Sequence, residues 1–482
     1  MPTPALTPPT SLAAWLGKKW AMVALIFAFT VAVLPNLTVR SFVWEEGTNA
    51  ELARDISVRG DLIAPAIYGK RRVKKPPLMP CLIASVAYLT GEVNEWSARL
   101  PAMAAVLITA LVLLQFTRRF ASQRAALFAA GCFVFCPLVL RKITIAETDT
   151  IVTALVFGAF VVWWGAKGQI GAGRALACGT LLAAAAMAKG PQPIAYFALG
   201  IGGHLVARKK WGEFVQLVLV LIIPAAAIFA WVYAVYHPGD LSVWLDDMRL
   251  TSRTSIAIYL TDRGRFGGTF LLDLLPAILL TPFFWMKRKQ CVDEEKRALW
   301  EMLLWYAGAA TLALFFWPGA NTRYAMPAAP AIAMMAGLAF DDLWQLRHLV
   351  TRLAISLLAG LMVYQFVLVC IVMPVFAARF GASRTAGFAI AQAVGQSVPV
   401  FNVGGPNPNQ LFYVSRPIRW IEREEALQLK TPAWLVLAPW ELKWIKSHHP
   451  DYFFGEAIQT TSGPGLIAVR IGPVQNGGRS WP

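Results

Sequence analysis

The sequence predicts an α-helical polytopic membrane protein of about 11 to 13 transmembrane helices, followed by a small soluble α/β domain at its C-terminal end. Three observations predict it. Of 482 residues, 57% are hydrophobic and 15% charged, a balance that a water-soluble chain of this length does not tolerate. The apolar residues gather into runs long enough to cross a bilayer core of about 30 Å, and mean hydropathy is +0.54. Beyond Ala378 the character changes to short β-branched runs separated by Gly, Pro and Asn.

Taken in order, the candidate spans are 20–36, 100–116, 125–140, 150–166, 175–188, 191–207, 214–236, 266–286, 298–318, 324–340 and 353–377. The first has no small-residue cleavage site after its apolar core, so it reads as a retained anchor. With a cytoplasmic N-terminus, every inner connection is basic: Lys18-Lys19, Arg118-Arg119 with Arg124, Lys167 with Arg174, Arg208-Lys209-Lys210, Lys287-Arg288-Lys289 with Lys296-Arg297, and Arg347 with Arg352. The apolar stretch 78–90 is short for a span, and counting it as one would invert every later loop. It therefore reads as an interfacial or re-entrant helix in the first outer loop. The division that follows is a membrane domain over 1–377, with its first outer loop at 40–99, and a soluble domain over 378–482. Strands are expected at 399–403, 433–438 and 466–471, and a charged helix near 421–429.

Composition also excludes function classes. The net charge of +17 is clustered between apolar runs, where cationic inner loops and anionic lipid heads account for it without nucleic acid. Cys132, Cys136, Cys178 and Cys370 lie in apolar runs and read as packing residues. Neither a phosphate-cradling glycine motif nor a paired Cys or His spacing for zinc is present, so no nucleotide cofactor is expected. A membrane-borne substrate remains.

The polar residues that bear chemistry fall on the outer side. Glu45 and Glu46 stand at the membrane exit, followed by Lys70, Arg71, Arg72, Lys74 and Lys75. Adjacent carboxylates repel, so one is expected to hold its proton more tightly and to suit a general base for an acceptor hydroxyl. The same acids also suit the first turn of a helix over 48–58. Glu147 and Asp149 open the fourth span and are candidates to hold a divalent cation or position an acceptor; helix capping by Thr148 or Asp149 is the alternative. Lys75, Lys189, Arg263, Arg265 and Arg323 emerge outside, where they either meet a lipid phosphate or snorkel to head groups. Asp273 and Glu301 sit alone within spans and give a transport role weak support. A transporter or flippase for a lipid-linked saccharide is the competing class, and a scaffold whose soluble tail binds an envelope partner is a third.

Motifs add to this reading. Glu45-Glu46, Ala50-Glu51-Leu52-Ala53-Arg54, Gly60-Asp61-Leu62, Lys75-Pro76-Pro77-Leu78 and the run Gly91 to Pro101 (GEVNEWSARLP) occur in that order. Thr148-Asp149, Ala188-Lys189-Gly190-Pro191 and Arg323-Tyr324-Ala325-Met326-Pro327 follow. The set resembles the polytopic lipid-linked glycosyltransferases of the GT-C class, in particular the bacterial aminoarabinose transferase and protein O-mannosyltransferase group, over roughly residues 15–345. That resemblance implies a GT-C type fold, a polyprenyl-phosphate-linked sugar donor, an envelope acceptor such as lipopolysaccharide on the periplasmic face of the bacterial inner membrane, and inversion at the anomeric carbon. It implies catalytic roles for Glu45, Glu46 and Asp149 and donor-phosphate binding by Lys75, Lys189, Arg323 and Tyr324. Two positions depart from the family pattern: Glu45 stands where Asp is usual, and the loop after the seventh span offers Asp246-Asp247 in place of a Glu-His pair. The acceptor is left open by the second departure.

Overall fold

Apolar chain in a bilayer satisfies its backbone N–H and C=O groups only internally, so the apolar runs become helices. The computed structural model describes residues 12–238, 255–287, 293–346, 349–394, 398–405, 407–429, 431–448, 452–459 and 465–473. Among the described residues, four helices are individually long and apolar enough to cross a membrane: Glu95–Thr117, Trp211–Val235, Glu294–Phe316 and Leu349–Val375. The protein is a multi-pass membrane protein. In chain order the first eleven helices are α1 (Leu12–Val33), α2 (Glu46–Arg59), α3 (Leu78–Thr90), α4 (Glu95–Thr117), α5 (Gln123–Phe135), α6 (Pro137–Leu140), α7 (Asp149–Trp164), α8 (Ala172–Lys189), α9 (Gln192–Phe197), α10 (Gly203–Ala207) and α11 (Trp211–Val235).

Two of the expected spans are broken, each at a proline. Cys136 precedes Pro137, is pushed to extended geometry (φ −67°, ψ 146°) and separates α5 from α6. The run 266–286 is not one helix: Ile256–Asp273 ends ahead of Pro276, and a new helix starts at Thr281–Lys287. The break leaves Asp273 where three segments meet, accepting from Arg141 Nη2 (2.5 Å) and Thr322 Oγ1 (3.0 Å). Asp273 is thus a tie between segments, and Glu301 is paired with Arg208; neither stands alone in a span. Arg288, Lys289, Arg347, Asp246 and Asp247 lie outside the described residues.

Small residues let the central helices approach closely. A Cβ on Gly337, in the helix Ala329–Gln345, would meet Ala129 Cβ at 2.8 Å and Ala125 O at 2.9 Å on α5. Opposite in character is Leu349–Val375, whose apolar window is 11% buried by protein and so presents most of its surface outward.

The first outer loop is built, not slack. Helix α2 leads to a two-residue hairpin, Ala66–Ile67 (β1) with Lys70–Arg71 (β2), and then to α3, which has the bounds expected from the sequence and packs on α2 and α4. Asn94 and Ser97 close a reciprocal capping box at the start of α4.

The C-terminal segment opens with the helix Ala382–Val394 and forms a five-stranded sheet in the order β4-β3-β5-β7-β6, from β3 (Val400–Val403), β4 (Ile418–Ile421), β5 (Ala433–Leu437), β6 (Tyr452–Gln459) and β7 (Ile467–Pro473). The three expected strands are present. The expected charged helix at 421–429 is corrected to the end of strand β4 and one turn, Arg423–Ala426, because Ile418 and Ile421 point to opposite faces of the strand and each packs into the hydrophobic core on its own face. This sheet joins the outer loop directly, with Trp420 N–H donating to Tyr68 O (2.8 Å) beside an ion pair of Lys70 and Glu422 (2.6 Å).

Candidate active site

The site begins at the turn between α1 and α2. Trp44 adopts φ +51°, and Glu45 follows at the N-cap of α2 (φ −88°, ψ 0°) without making a side-chain cap bond. Consecutive side chains at a helix start diverge by about 100°, and here the two acids part company. Lys75 Nζ donates to both oxygens of Glu45, at 2.6 Å each. Glu46 turns inward and is fully buried, accepting from Arg99 Nε (2.8 Å), Arg99 Nη2 (3.0 Å) and the Ala146 N–H (3.0 Å), with Arg40 at 3.6 Å. Arg99 is itself buried and spends its remaining N–H groups on the Leu37, Arg40 and Ser41 carbonyls.

The expected repulsion between neighbouring acids is therefore corrected. Burial acts to raise both carboxyls, but Lys75 for Glu45, and Arg99 with Arg40 for Glu46, outweigh it and hold both below the ordinary carboxylate range. Glu46 is also corrected as a group at the reacting atoms: it lies behind the turn, tying the outer loop to α4 and to the 141–149 loop.

The second acidic pair is set by the loop before α7. Asp149 is the first residue of α7, and Thr148 makes no side-chain cap, so the capping alternative does not hold. Asp149 pairs with Lys189, the last residue of α8, whose Nζ lies 4.4 Å from the Tyr324 ring centre. Gly190 follows at φ +76°, a conformation that a Cβ disfavours, and turns the chain back at this level. Gln192 Nε2 donates to Tyr324 O (3.2 Å) and links that turn to the 3-10 segment Thr322–Ala328. Glu147 accepts from Lys142, with Arg323 Nη1 at 3.4 Å. Arg323 Nε and Glu147 Oε1 are buried without a hydrogen-bond partner.

These segments enclose one cavity of about 580 Å³, whose walls include Glu45, Lys75, Glu147, Asp149, Lys189, Arg323 and Tyr324. Ile228, Trp231, Val232 and Trp317 give it an apolar side. A narrower cleft of about 70 Å³ shares Glu45, Lys75 and Thr148 with it and adds Thr48, Asn49 and Arg72. Other singled-out residues lie elsewhere. Arg263 is buried and donates to the Phe315 (2.5 Å) and Trp317 (2.8 Å) carbonyls, closing the end of Glu294–Phe316. Arg71 meets His237 (2.8 Å) and the Val235 carbonyl.

Glu147 and Asp149 do not fit a divalent cation. Lys142 and Arg323 hold the first, Lys189 holds the second, and among the described residues no group of three or more His, Cys, Asp and Glu side chains comes together. Sequence reasoning missed Arg99 and Lys142. Arg99 stands inside the matched run ending Arg99-Leu100-Pro101, but nothing in a linear pattern says that it turns inward. Lys142 precedes Glu147 by five residues in a loop, where spacing carries no facing rule.

Residues 74–237 match a family model described as dolichyl-phosphate-mannose-protein mannosyltransferase. A curated undecaprenyl phosphate-α-4-amino-4-deoxy-L-arabinose arabinosyl transferase from Enterobacter sp. (strain 638) is 28% identical over 223 residues, 44% of this chain and 39% of that protein; the match thus spans well under half of the relative's length. Among solved structures, ArnT from Cupriavidus metallidurans bound to undecaprenyl phosphate superposes with a TM-score of 0.71 at 17% identity, covering 95% of this chain and 98% of that one. Its apo form gives 0.69 at 18%, with the same coverage. The arabinofuranosyltransferase AftD from Mycobacteria gives 0.53 at 12%, covering 95% of this chain and 40% of that one. The chain has the ArnT fold over nearly its whole length and, in sequence and architecture together, resembles the GT-C polyprenyl-phosphate-sugar glycosyltransferases of the ArnT type.

Proposed function

We propose that this protein is an inverting glycosyltransferase that moves a sugar from a polyprenyl-phosphate donor to a hydroxyl of an envelope acceptor, at the periplasmic face of a bacterial inner membrane. One observation carries the reading: a single cavity brings Glu45 and Asp149 to the same level as Lys75, Lys189 and Arg323, from five separate segments of the chain. That matches the needs of a displacement in which an oxygen attacks carbon and a phosphate departs.

In this mechanism the donor phosphate lies against Lys75, Lys189 and Arg323, which line the cavity. The polyprenyl chain runs along the apolar wall formed by Ile228, Trp231 and Val232. The acceptor hydroxyl reaches Glu45 through the narrower cleft. Its oxygen bonds to the anomeric carbon from the face opposite the phosphate, Glu45 takes its proton, and the carbon–oxygen bond to phosphate breaks with both electrons leaving on polyprenyl phosphate. Asp149 holds Lys189 in place. A flippase needs cations at this depth but no carboxylate aimed at the bond beside the phosphate.

The test is transfer by purified protein from a polyprenyl-phosphate sugar, with mass analysis of envelope glycolipids and glycoproteins from cells with and without the chain to name the missing sugar. Glu45→Gln is expected to lower kcat by about 10²- to 10⁴-fold. Lys189→Met and Arg323→Met are expected to cost about 10²- to 10³-fold through lost stabilisation of the leaving phosphate. Full transfer by Glu45→Gln would remove that residue from the mechanism, and an unchanged envelope would remove the function.

A further inference from the structure

The C-terminal domain reaches the turn that carries Glu45 through one side chain. Asn409, on the short helix Pro408–Leu411, donates from Nδ2 to the Trp44 carbonyl (2.9 Å) and accepts at Oδ1 from the Gly47 N–H (3.0 Å). Those two backbone groups bracket Glu45 and Glu46. The contact is also sterically closed, since a Cβ on Gly47 would lie 2.6 Å from both the backbone nitrogen and Oδ1 of Asn409. Trp44 sits in the left-handed region that a bulky residue seldom adopts, so its conformation depends on what holds it. Asn409 is not among the residues lining the cavity.

We propose that Asn409 is a positioning residue for transfer: by fixing both ends of the Trp44–Gly47 turn, a domain outside the membrane aims the Glu45 carboxylate at Lys75 and the reacting atoms. The inference rests on the glycosyltransferase reading above. An amide is suited to the task because one side donates and the other accepts. Aspartate keeps the acceptor for Gly47 but sets a negative charge against the Trp44 carbonyl, and alanine supplies neither bond. When the turn loosens, Glu45 slips from Lys75 and loses the cation that lowers its proton affinity, so the acid limb of the rate profile moves up.

The experiment compares full-length wild type, Asn409→Ala, Asn409→Asp and Asn407→Ala in detergent, with a polyprenyl-phosphate sugar as donor. Asn407 is the control, its Nδ2 bonded to the Gly405 carbonyl (3.0 Å). Both Asn409 variants are expected to lose about 10- to 100-fold in kcat with donor KM changed less than about twofold, and to shift the acid limb of kcat/KM upward. Asn407→Ala is expected to behave as wild type. Should Asn409→Ala fail to fold, Asn409→Ser provides the same comparison. Wild-type kcat with an unmoved acid limb in either Asn409 variant would overturn the proposal, as would an equal loss in Asn407→Ala, which would mark general loosening of the domain. If wild type itself transfers no sugar while binding the donor lipid, the functional reading falls instead.

Discussion

At the residue scale, the two acids of the outer loop show how one rotation about a helix start separates two roles. Glu45 faces the cavity and Glu46 faces Arg99. Because Lys75 holds Glu45 below the ordinary carboxylate range, Glu45 is ionised throughout neutral pH. The sign follows from linkage: a carboxyl with a depressed folded value contributes its ion pair fully above the unfolded value of about 4.3 and loses it only as pH falls through the lower, folded value. The acid limb of kcat/KM should therefore lie below about pH 4.3 in wild type and move upward in Lys75→Met, which a pH–rate profile of the two proteins checks. A profile with the same acid limb in both would show that Lys75 does not set it. For the buried pair, Arg99→Met takes from Glu46 its two-pronged partner and leaves the more distant Arg40 as its counter-charge, and should lower stability by about 3–5 kcal/mol, read by thermal or denaturant unfolding in detergent. Arg99→Lys should not restore it, since an ammonium cannot reach both Glu46 oxygens and the loop carbonyls at once. That Glu45, Asp149, Lys189 and Arg323 meet at one cavity was legible in the sequence as far as each follows or precedes an apolar run, which puts them all near span ends. The inward turn of Glu46 and Arg99 was not, because which way a side chain points at a loop-to-helix junction depends on the Trp44 turn, a tertiary fact.

At the element scale, helix existence was readable from run length and loop charge, while the breaks followed local proline chemistry that a hydropathy window smooths over. The split between Ile256–Asp273 and Thr281–Lys287 is the clearest case, and it converts Asp273 from a solitary charge into a tie with Arg141 and Thr322. Strand β6 and the helix Pro439–His448 carry weak periodic signals and escaped notice. Close helix packing yields a prediction of its own. Gly337→Val places bulk where Ala129 and Ala125 already lie within 3 Å of a Cβ, so it should destabilise by about 1–3 kcal/mol and broaden the elution profile in mild detergent. A variant as stable as wild type would mean that α5 and the Ala329–Gln345 helix have room to separate.

At the scale of the whole molecule, the C-terminal sheet domain and the helical part of the chain share the loop after α1 between them. Tyr413 accepts from the Phe42 N–H (3.0 Å) and donates to Glu95 (2.8 Å), Arg384 reaches the same carboxylate (2.5 Å), and Arg54 donates to the Phe412 carbonyl (3.1 Å). Deleting residues 378–482 should therefore abolish transfer even where the remaining helices still insert, because Phe42 to Gly47 loses its outer support. Retained transfer by the truncated chain would confine the site to the membrane part. The half-exposed pair of Lys70 and Glu422 is a different matter: Lys70→Ala should change stability by less than about 1 kcal/mol.

The ion pairs around the cavity carry one more consequence. Glu45 is matched by Lys75, Asp149 by Lys189, and Glu147 by Lys142 and Arg323, so an arriving phosphodiester with its single negative charge meets cations that already have carboxylate partners and must trade with those partners to be held. Such a trade trims its net gain, leaving the spent lipid carrier easy to discharge once the sugar has gone.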